Sequence, residues 1–348
     1  MKIAYIIPSL VRSGPIKVVH QLTEYLHKEH DIDVFYLEDR TDRELMTFSV
    51  PVNKISFKET IDFDHYDIVH SHSMMPDLYI RWHADKMKQC KRVTTIHNYA
   101  YEDLPAAYGA LKGYVMAMAW GIGLLKHDMQ VVLSKHAKSY YEKIWWPNKR
   151  MIVVYNGVEG EVPTLPKNKE KVDQTIKIGN IASAGGINVR KGIDQIVKAL
   201  AFLPENHELY IAGKETAEVN VLKALAQKHH VEHRIHFLGY VSDMHAFINE
   251  MDLFVVASRS EGFPLSLQEI VQHKKSVVCS NLPLFQEIFD SNEVTFFTLE
   301  KSEELANAIK YAYQHRDTLA QKAYKRYREH YTADIMAKNY EKVYSQLI

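Results

Sequence analysis

The sequence predicts two successive α/β domains, each built on a parallel β-sheet with helices on both faces. Three observations carry this. Short apolar runs of strand length alternate with helical segments along nearly the whole chain, as βαβ units do. The alternation breaks once, over residues 159–174, where prolines, lysines and glutamates replace apolar residues and read as a linker. A chain of 348 residues, 46% hydrophobic and 25% charged, has a globular composition and room for two domains of ordinary size.

In order, residues 2–8 read as a first strand, followed by a loop with one glycine, Gly14. A helix then starts at Pro15 and carries Val19, Leu22 and Leu26 on one face. Further strands are expected at 33–37, 68–70, 92–96, 131–133 and 151–155, with helices over 78–88, 105–125 and 135–144. After the break, strands are expected at 176–181, 208–213, 234–238, 253–257 and 276–279. Helices at 193–203, 219–228, 244–249 and 265–273 lie between them, and helices from Ser302 close the chain. The expected division is a first domain at 1–160, a linker at 161–174, a second domain at 175–330 and a terminal helix at 331–348. Two such domains would face a cleft with their strand carboxyl ends, one holding a donor and the other an acceptor.

The totals exclude several classes. Lys plus Arg equals Asp plus Glu, at 43 each, so bulk nucleic-acid binding is not expected. Cys90 and Cys279 have no metal or redox spacing and suit a reducing cytosol. Pro8 and Arg12 interrupt the apolar start, so it reads as a strand and not a leader. The longest apolar run, 113–125 between Lys112 and Lys126, is shorter than the roughly 20 residues a bilayer span needs. It reads as a buried helix; the alternative is a membrane-surface contact, shared with Trp145-Trp146-Pro147.

The chemistry concentrates in Ser260-Glu261-Gly262-Phe263-Pro264-Leu265-Ser266-Leu267-Gln268-Glu269. The run 253–257 is a buried strand, the turn follows, and Pro264 suits the first turn of a helix. Glu261 then lies on the strand-end loop and Glu269 about one and a half turns into the helix, both toward the crevice where open α/β sheets bind ligands. Glu269 suits the vicinal hydroxyls of a ribose, Glu261 a sugar, and the N–H groups near Leu265 a phosphate. Arg190-Lys191-Gly192 stands just before another helix, where two cations and the helix N-terminus make an anion site, and Gly185-Gly186 lets the loop approach a ligand. His97 ends a strand on the cleft side. His70-Ser71-His72 also ends one; its spacing could share a zinc, but no third ligand is indicated. Asp31-Ile32-Asp33 and Asp62-Phe63-Asp64 spell D-x-D, which three letters do by chance.

Together these residues resemble the retaining glycosyltransferases of family four, which have the GT-B fold: two Rossmann-like domains and a C-terminal helix crossing back to the first. Ser-Glu-Gly-Phe-Pro at 260–264 with Glu269 is similar to the family's E-x7-E motif. Leu238-Gly239-Tyr240-Val241 with Asp243 resembles the segment lining the nucleobase pocket. Asn156-Gly157-Val158 matches the end of the first domain, Ile96-His97-Asn98 and His70-Ser71-His72 its histidine motifs, and residues 9–16 its first loop. Residues 331–344 look like the returning helix. The resemblance implies that His97, Glu261 and Lys191 are catalytic. The donor would be held by Gly14, Gly186, Arg190, Lys191, Tyr240, Glu261, Gly262, Phe263, Pro264, Leu265 and Glu269.

It further implies transfer with retention, from a UDP-sugar before a GDP-sugar, to a glycan or lipid-linked acceptor in a bacterial surface polysaccharide. No cofactor or metal is expected, and the place expected is the cytoplasm, at the inner face of the membrane. One departure stands out: the family's arginine five residues before the matching lysine is Gly186 here, unless Arg190 replaces it. Two alternatives stay open, a non-catalytic partner subunit of the same fold and a nucleotide-sugar epimerase.

Overall fold

The computed structural model describes residues 1–40, 44–145, 150–159, 175–183 and 186–348. The expected linker at 161–174 lies outside them, as do Trp146, Pro147 and Gly185. The chain divides into two compact units, Met1–Glu159 with Tyr331–Ile348, and Gly160–His330.

The first unit holds a parallel sheet of β1 (Lys2–Ile7), β2 (Asp31–Tyr36), β3 (Val52–Lys54), β4 (Ile68–His72), β5 (Lys91–Ile96), β6 (Met129–Val132) and β7 (Met151–Val153). The strand order is β3-β2-β1-β4-β5-β6-β7. Ile3 to Ile7 are wholly buried, which is why that run carries no polar alternation. The edge strand β3, Val-Asn-Lys, has no apolar pattern to betray it.

Its helices are α1 (Gly14–Leu26), α2 (Met74–His83), α3 (Ala100–Tyr108), α4 (Ala110–Leu124) and α5 (Lys135–Ile144). Ser134 caps α5 by accepting the Ala137 N–H at 2.9 Å. The single helix expected over 105–125 is two, because Gly109 turns the chain at φ +84°. The two then pack so closely that a Cβ on Gly113 would lie 2.3 Å from the Pro105 backbone. The expected burial of this stretch holds for one side only. Gly113, Ala117, Trp120 and Leu124 face inward, while Leu111, Tyr114, Val115, Met118, Ile122 and Leu125 are each more than half exposed. Trp145 packs inward, stacked on Tyr141 at 4.4 Å and close over Gly121. Among the described residues no helix is long and apolar enough to cross a membrane.

The second unit repeats the plan with β8 (Ile176–Ser183), α6 (Ile193–Leu200), β9 (His207–Gly213), α7 (Glu218–Lys228), β10 (Ile235–Gly239), α8 (Met244–Glu250) and β11 (Leu253–Val256). It continues through α9 (Leu265–Gln272), β12 (Ser276–Ser280), α10 (Pro283–Ile288), β13 (Thr295–Phe297), α11 (Ser302–Gln314) and α12 (Arg316–His330). The sheet order is β10-β9-β8-β11-β12-β13. Its core joins Ile178, Leu209, Ile211 and Val255 of the sheet to Ile196 of α6 and Ile309 of α11. In each sheet the order reverses beside the first strand, between β1 and β4 and between β8 and β11, and the loops leaving those strands part there.

The last helix, α13 (Ala333–Ser345), belongs to the first unit. A Cβ on Gly157 would lie 2.2 Å from the Thr332 carbonyl oxygen, so the Asn156-Gly157-Val158 turn needs its glycine where the chain returns. A buried polar network holds the helix. Tyr344 Oη lies 2.7 Å from His70 Nδ1 and 3.0 Å from Tyr5 Oη. Thr95 Oγ1 lies 2.9 Å from both His70 Nε2 and Tyr340 Oη. With both ring nitrogens so engaged, His70 cannot form the zinc pair its spacing with His72 allows.

A second buried cluster centres on Asp77. Its carboxylate accepts from Ser71 at 2.6 Å, Thr94 at 2.7 Å and Trp120 at 2.6 Å. Burial nonetheless pushes its pKa up to about 7 against those three donors.

Candidate functional site

In the second unit the site forms where the loops after β8 and β11 meet. A short turn, Val189–Lys191, precedes Gly192, which adopts φ +63°. A Cβ there would lie 2.0 Å from the Ala257 carbonyl oxygen, so glycine is what lets this turn press on the end of β11. Arg259 fastens the two loops. Its backbone N–H donates to Arg190 O at 2.8 Å and its guanidinium to Val189 O at 2.7 Å. The same guanidinium grips Asp194 through two bonds of 2.8 Å and reaches Glu300.

This junction brings Lys191 and Glu261 together. Lys191 Nζ donates to Glu261 Oε1 at 2.7 Å, and Ser258 Oγ donates to the same oxygen at 2.8 Å. Arg190 Nη1 stands 3.9 Å from Oε2. Lys191 is 5% and Glu261 7% exposed, so this is a buried ion pair. Burial alone would raise the Glu261 pKa; Lys191 and then Arg190 outweigh it and hold the carboxyl below its usual range. Lys191, expected at the diphosphate, has its ammonium seated on Glu261. The more exposed cation is Arg190.

Gly186 adopts φ +79°, and a Cβ on it would lie 2.9 Å from Lys214 O and from Thr216 Cγ2. An arginine is strained at this place in the turn, and the second cation beside Glu261 is Arg190. Of the remaining expected donor contacts, Gly262 and Leu265 are half-buried and Phe263 and Pro264 buried around the same turn. Pro264 is the residue before the helix and not inside its first turn, and its carbonyl accepts the Leu267 N–H at 3.2 Å. Glu269 is half-buried on α9. Tyr240 is exposed past the end of β10, the edge strand two places from β8.

In the first unit His97 follows β5, half-buried, with its Nε2 2.9 Å from Nδ1 of the fully buried His72. Burial lowers the His97 pKa to about 3, so the ring is neutral. Gly14 is exposed at the start of α1, where a Cβ would meet nothing within 4 Å. Sequence reasoning missed Ser258, Arg259, Asp194 and the His72–His97 contact. Arg259 reads as one more surface cation, and only its place between the strand and Glu261 hints otherwise.

Known proteins share this architecture. A sucrose-phosphate synthase from Thermosynechococcus elongatus superposes with a TM-score of 0.81 at 18% identity, over 99% of this chain and 98% of that one. The Anabaena protein HepE, solved in complex with UDP-glucose, gives 0.81 at 16% identity over 99% and 100%. The fold is GT-B. A family profile described as "Glycosyltransferase Family 4" matches residues 13–161, and one described as "Glycosyl transferases group 1" matches 167–330. The O-antigen biosynthesis glycosyltransferase WclY of Escherichia coli is 30% identical, over 100% of this chain and 99% of its own length. The chain belongs to the family-four glycosyltransferases.

Proposed function

We propose that this glycosyltransferase moves a sugar with retention from a nucleotide-diphosphate sugar, a UDP-sugar before a GDP-sugar. The acceptor is a glycan or lipid-linked glycan of a bacterial surface polysaccharide. The observation that carries the reading is the Lys191–Glu261 pair with Arg190 beside it, at the strand-order reversal of the second unit. Support for the product class comes from the relative named for O-antigen biosynthesis, and for the donor from the neighbour solved with UDP-glucose.

On this reading Lys191 and Arg190 supply positive charge where the leaving diphosphate gains negative charge, so no metal ion is required. Glu261 keeps Lys191 oriented and offers Oε2 to a sugar hydroxyl. Glu269 binds the ribose diol, Gly14 leaves room for the diphosphate, and Tyr240 lines the base. His97 contacts the transferred sugar. The outer face of α4 rests on the cytoplasmic surface of the membrane, where a lipid-linked acceptor lies.

Screening UDP-, GDP- and ADP-sugars by thermal shift, then following transfer with the best donor, tests the reading. The product should keep the donor's anomeric configuration, and turnover should survive a chelator. An inverted product or a metal requirement would each overturn the corresponding part, and binding of no nucleotide sugar would overturn the whole. The epimerase alternative predicts donor conversion without acceptor. Gly186 gives no support to a non-catalytic subunit, since Arg190 lies beside Glu261.

A further inference from the structure

His72 stands behind His97 on the neighbouring strand, with its Nδ1 2.9 Å from His97 Nε2. One of these two nitrogens carries the proton between them. His72 is fully buried, and its other nitrogen, Nε2, finds no hydrogen-bond partner among the described residues. If His97 donated, the neutral His72 ring would have to carry its own proton on Nε2, as a buried donor without an acceptor. Orphaned buried N–H groups are the rarer and more costly defect. If His72 donates from Nδ1, the orphan is only a bare lone pair.

We infer that His72 is a positioning residue that fixes the tautomer of His97, keeping Nε2 bare and the proton on Nδ1. Nδ1 is the nitrogen His97 has left for a ligand, so it meets a sugar hydroxyl oxygen as a neutral N–H donor. The inference rests on the proposed contact between His97 and the transferred sugar. It gives that contact a direction: the hydroxyl accepts. Packing holds the His72 ring in place, at 4.3 Å from the His70 ring and 5.9 Å from Tyr5. His70 is in turn held by Tyr344 and Thr95. The geometry is therefore locked from α13 outward to His97.

The test is ring-nitrogen NMR on the full chain, labelled with heavy-isotope histidine, near neutral pH. Wild-type His97 is expected with its proton on Nδ1, the tautomer that free imidazole side chains disfavour. His72→Asn places an amide N–H where Nδ1 was and should preserve that tautomer, whereas His72→Phe fills the volume without a donor and should move the proton to Nε2. With the best donor among UDP-glucose, UDP-N-acetylglucosamine and GDP-mannose, His72→Phe should lower kcat roughly tenfold, the worth of one hydrogen bond. His72→Asn should restore it, and affinity for the bare nucleotide should not move in either variant. A purely structural role predicts losses that Asn does not rescue and that extend to nucleotide binding. Wild-type His97 protonated on Nε2, or an unchanged tautomer in His72→Phe, would overturn the inference. If no donor is turned over, the functional reading fails, while the tautomers still decide the role of His72.

Discussion

Removing the Lys191 ammonium while keeping its stem, as in Lys191→Met, leaves Glu261 as a buried carboxylate without its closest partner. The pair is 2.7 Å apart, with side chains only 6% and 7% exposed. Breaking a buried pair by deleting one member costs about 3–5 kcal/mol. Ser258 remains at 2.8 Å and Arg190 at 3.9 Å, so the low end, about 3 kcal/mol, is expected. Glu261→Gln alone should cost a similar amount by orphaning Lys191. The double variant removes both charges and should lose only about 1 kcal/mol, leaving a coupling well above the additive limit.

Urea unfolding measures this, and the probe matters. All four tryptophans lie at 82, 120, 145 and 146, before the second unit begins, so their fluorescence serves as an internal control. Amide hydrogen exchange in residues 176–280 reads the site. Nucleotide binding should fall in all three variants, including the double variant that regains stability, which separates the pair's structural role from its functional one. A Lys191→Met protein within about 0.5 kcal/mol of wild type, or a double variant as unstable as the sum of its singles, would refute the buried-pair argument.

Arg259→Lys keeps the charge but loses the fork that grips Asp194 while reaching Val189, and should weaken UDP binding roughly tenfold by calorimetry; unchanged affinity would mean the two loops hold together without it. The stability of the first unit should fall as pH drops through 6.5. His97 and His127 are held near pKa 3 against an ordinary 6.5, and His70 and His72 well below it, all mainly by burial. The unfolded chain therefore takes up protons the folded one refuses, at up to about 1.4 kcal/mol per pH unit for each ring. Asp77 works the other way, holding its proton up to about 7 against 3.8 when unfolded, so it favours folding as pH falls. Four rings outweigh one carboxyl, and a tryptophan-monitored midpoint that is flat or rising below pH 6.5 would contradict this. Val115→Glu with Met118→Glu should abolish sedimentation with anionic vesicles without moving the thermal midpoint; wild type that fails to pellet at low salt removes the membrane contact.

The sheets were legible because parallel strands buried on both faces write their burial as unbroken apolar runs, as Ile3 to Ile7 and Leu253 to Val256 do. Some short elements were not. β3 and β13 have three residues each and α10 has six, too few for a period to show. The break at Gly109 was invisible for a different reason: a glycine inside an apolar helical pattern does not say that its φ will be positive. At the site, sequence order named Lys191 and Glu261 as separate contacts, but not that one sits on the other. They are bonded across 70 positions. His70 and Tyr344 are bonded across 274, a distance over which no local pattern reaches.

The two units treat their buried ionisable groups differently. Each candidate group lies beside the strand-order reversal of its sheet or one strand beyond it, His72 and His97 on β4 and after β5, Lys191 and Glu261 after β8 and β11. In the first unit burial strips the imidazoles of protons, so the groups there are neutral donors and acceptors. In the second, pairing keeps both a cation and a carboxylate charged inside the protein. On the proposed function this division follows from the reaction. A sugar losing its leaving group gains positive charge at the ring, which an imidazolium beside it would oppose, whereas the departing diphosphate gains negative charge and needs fixed cations. The orphaned His72 nitrogen and the seated Lys191 ammonium then answer one requirement: each unit commits its proton positions before the donor arrives, so that little has to reorganise at the moment of transfer.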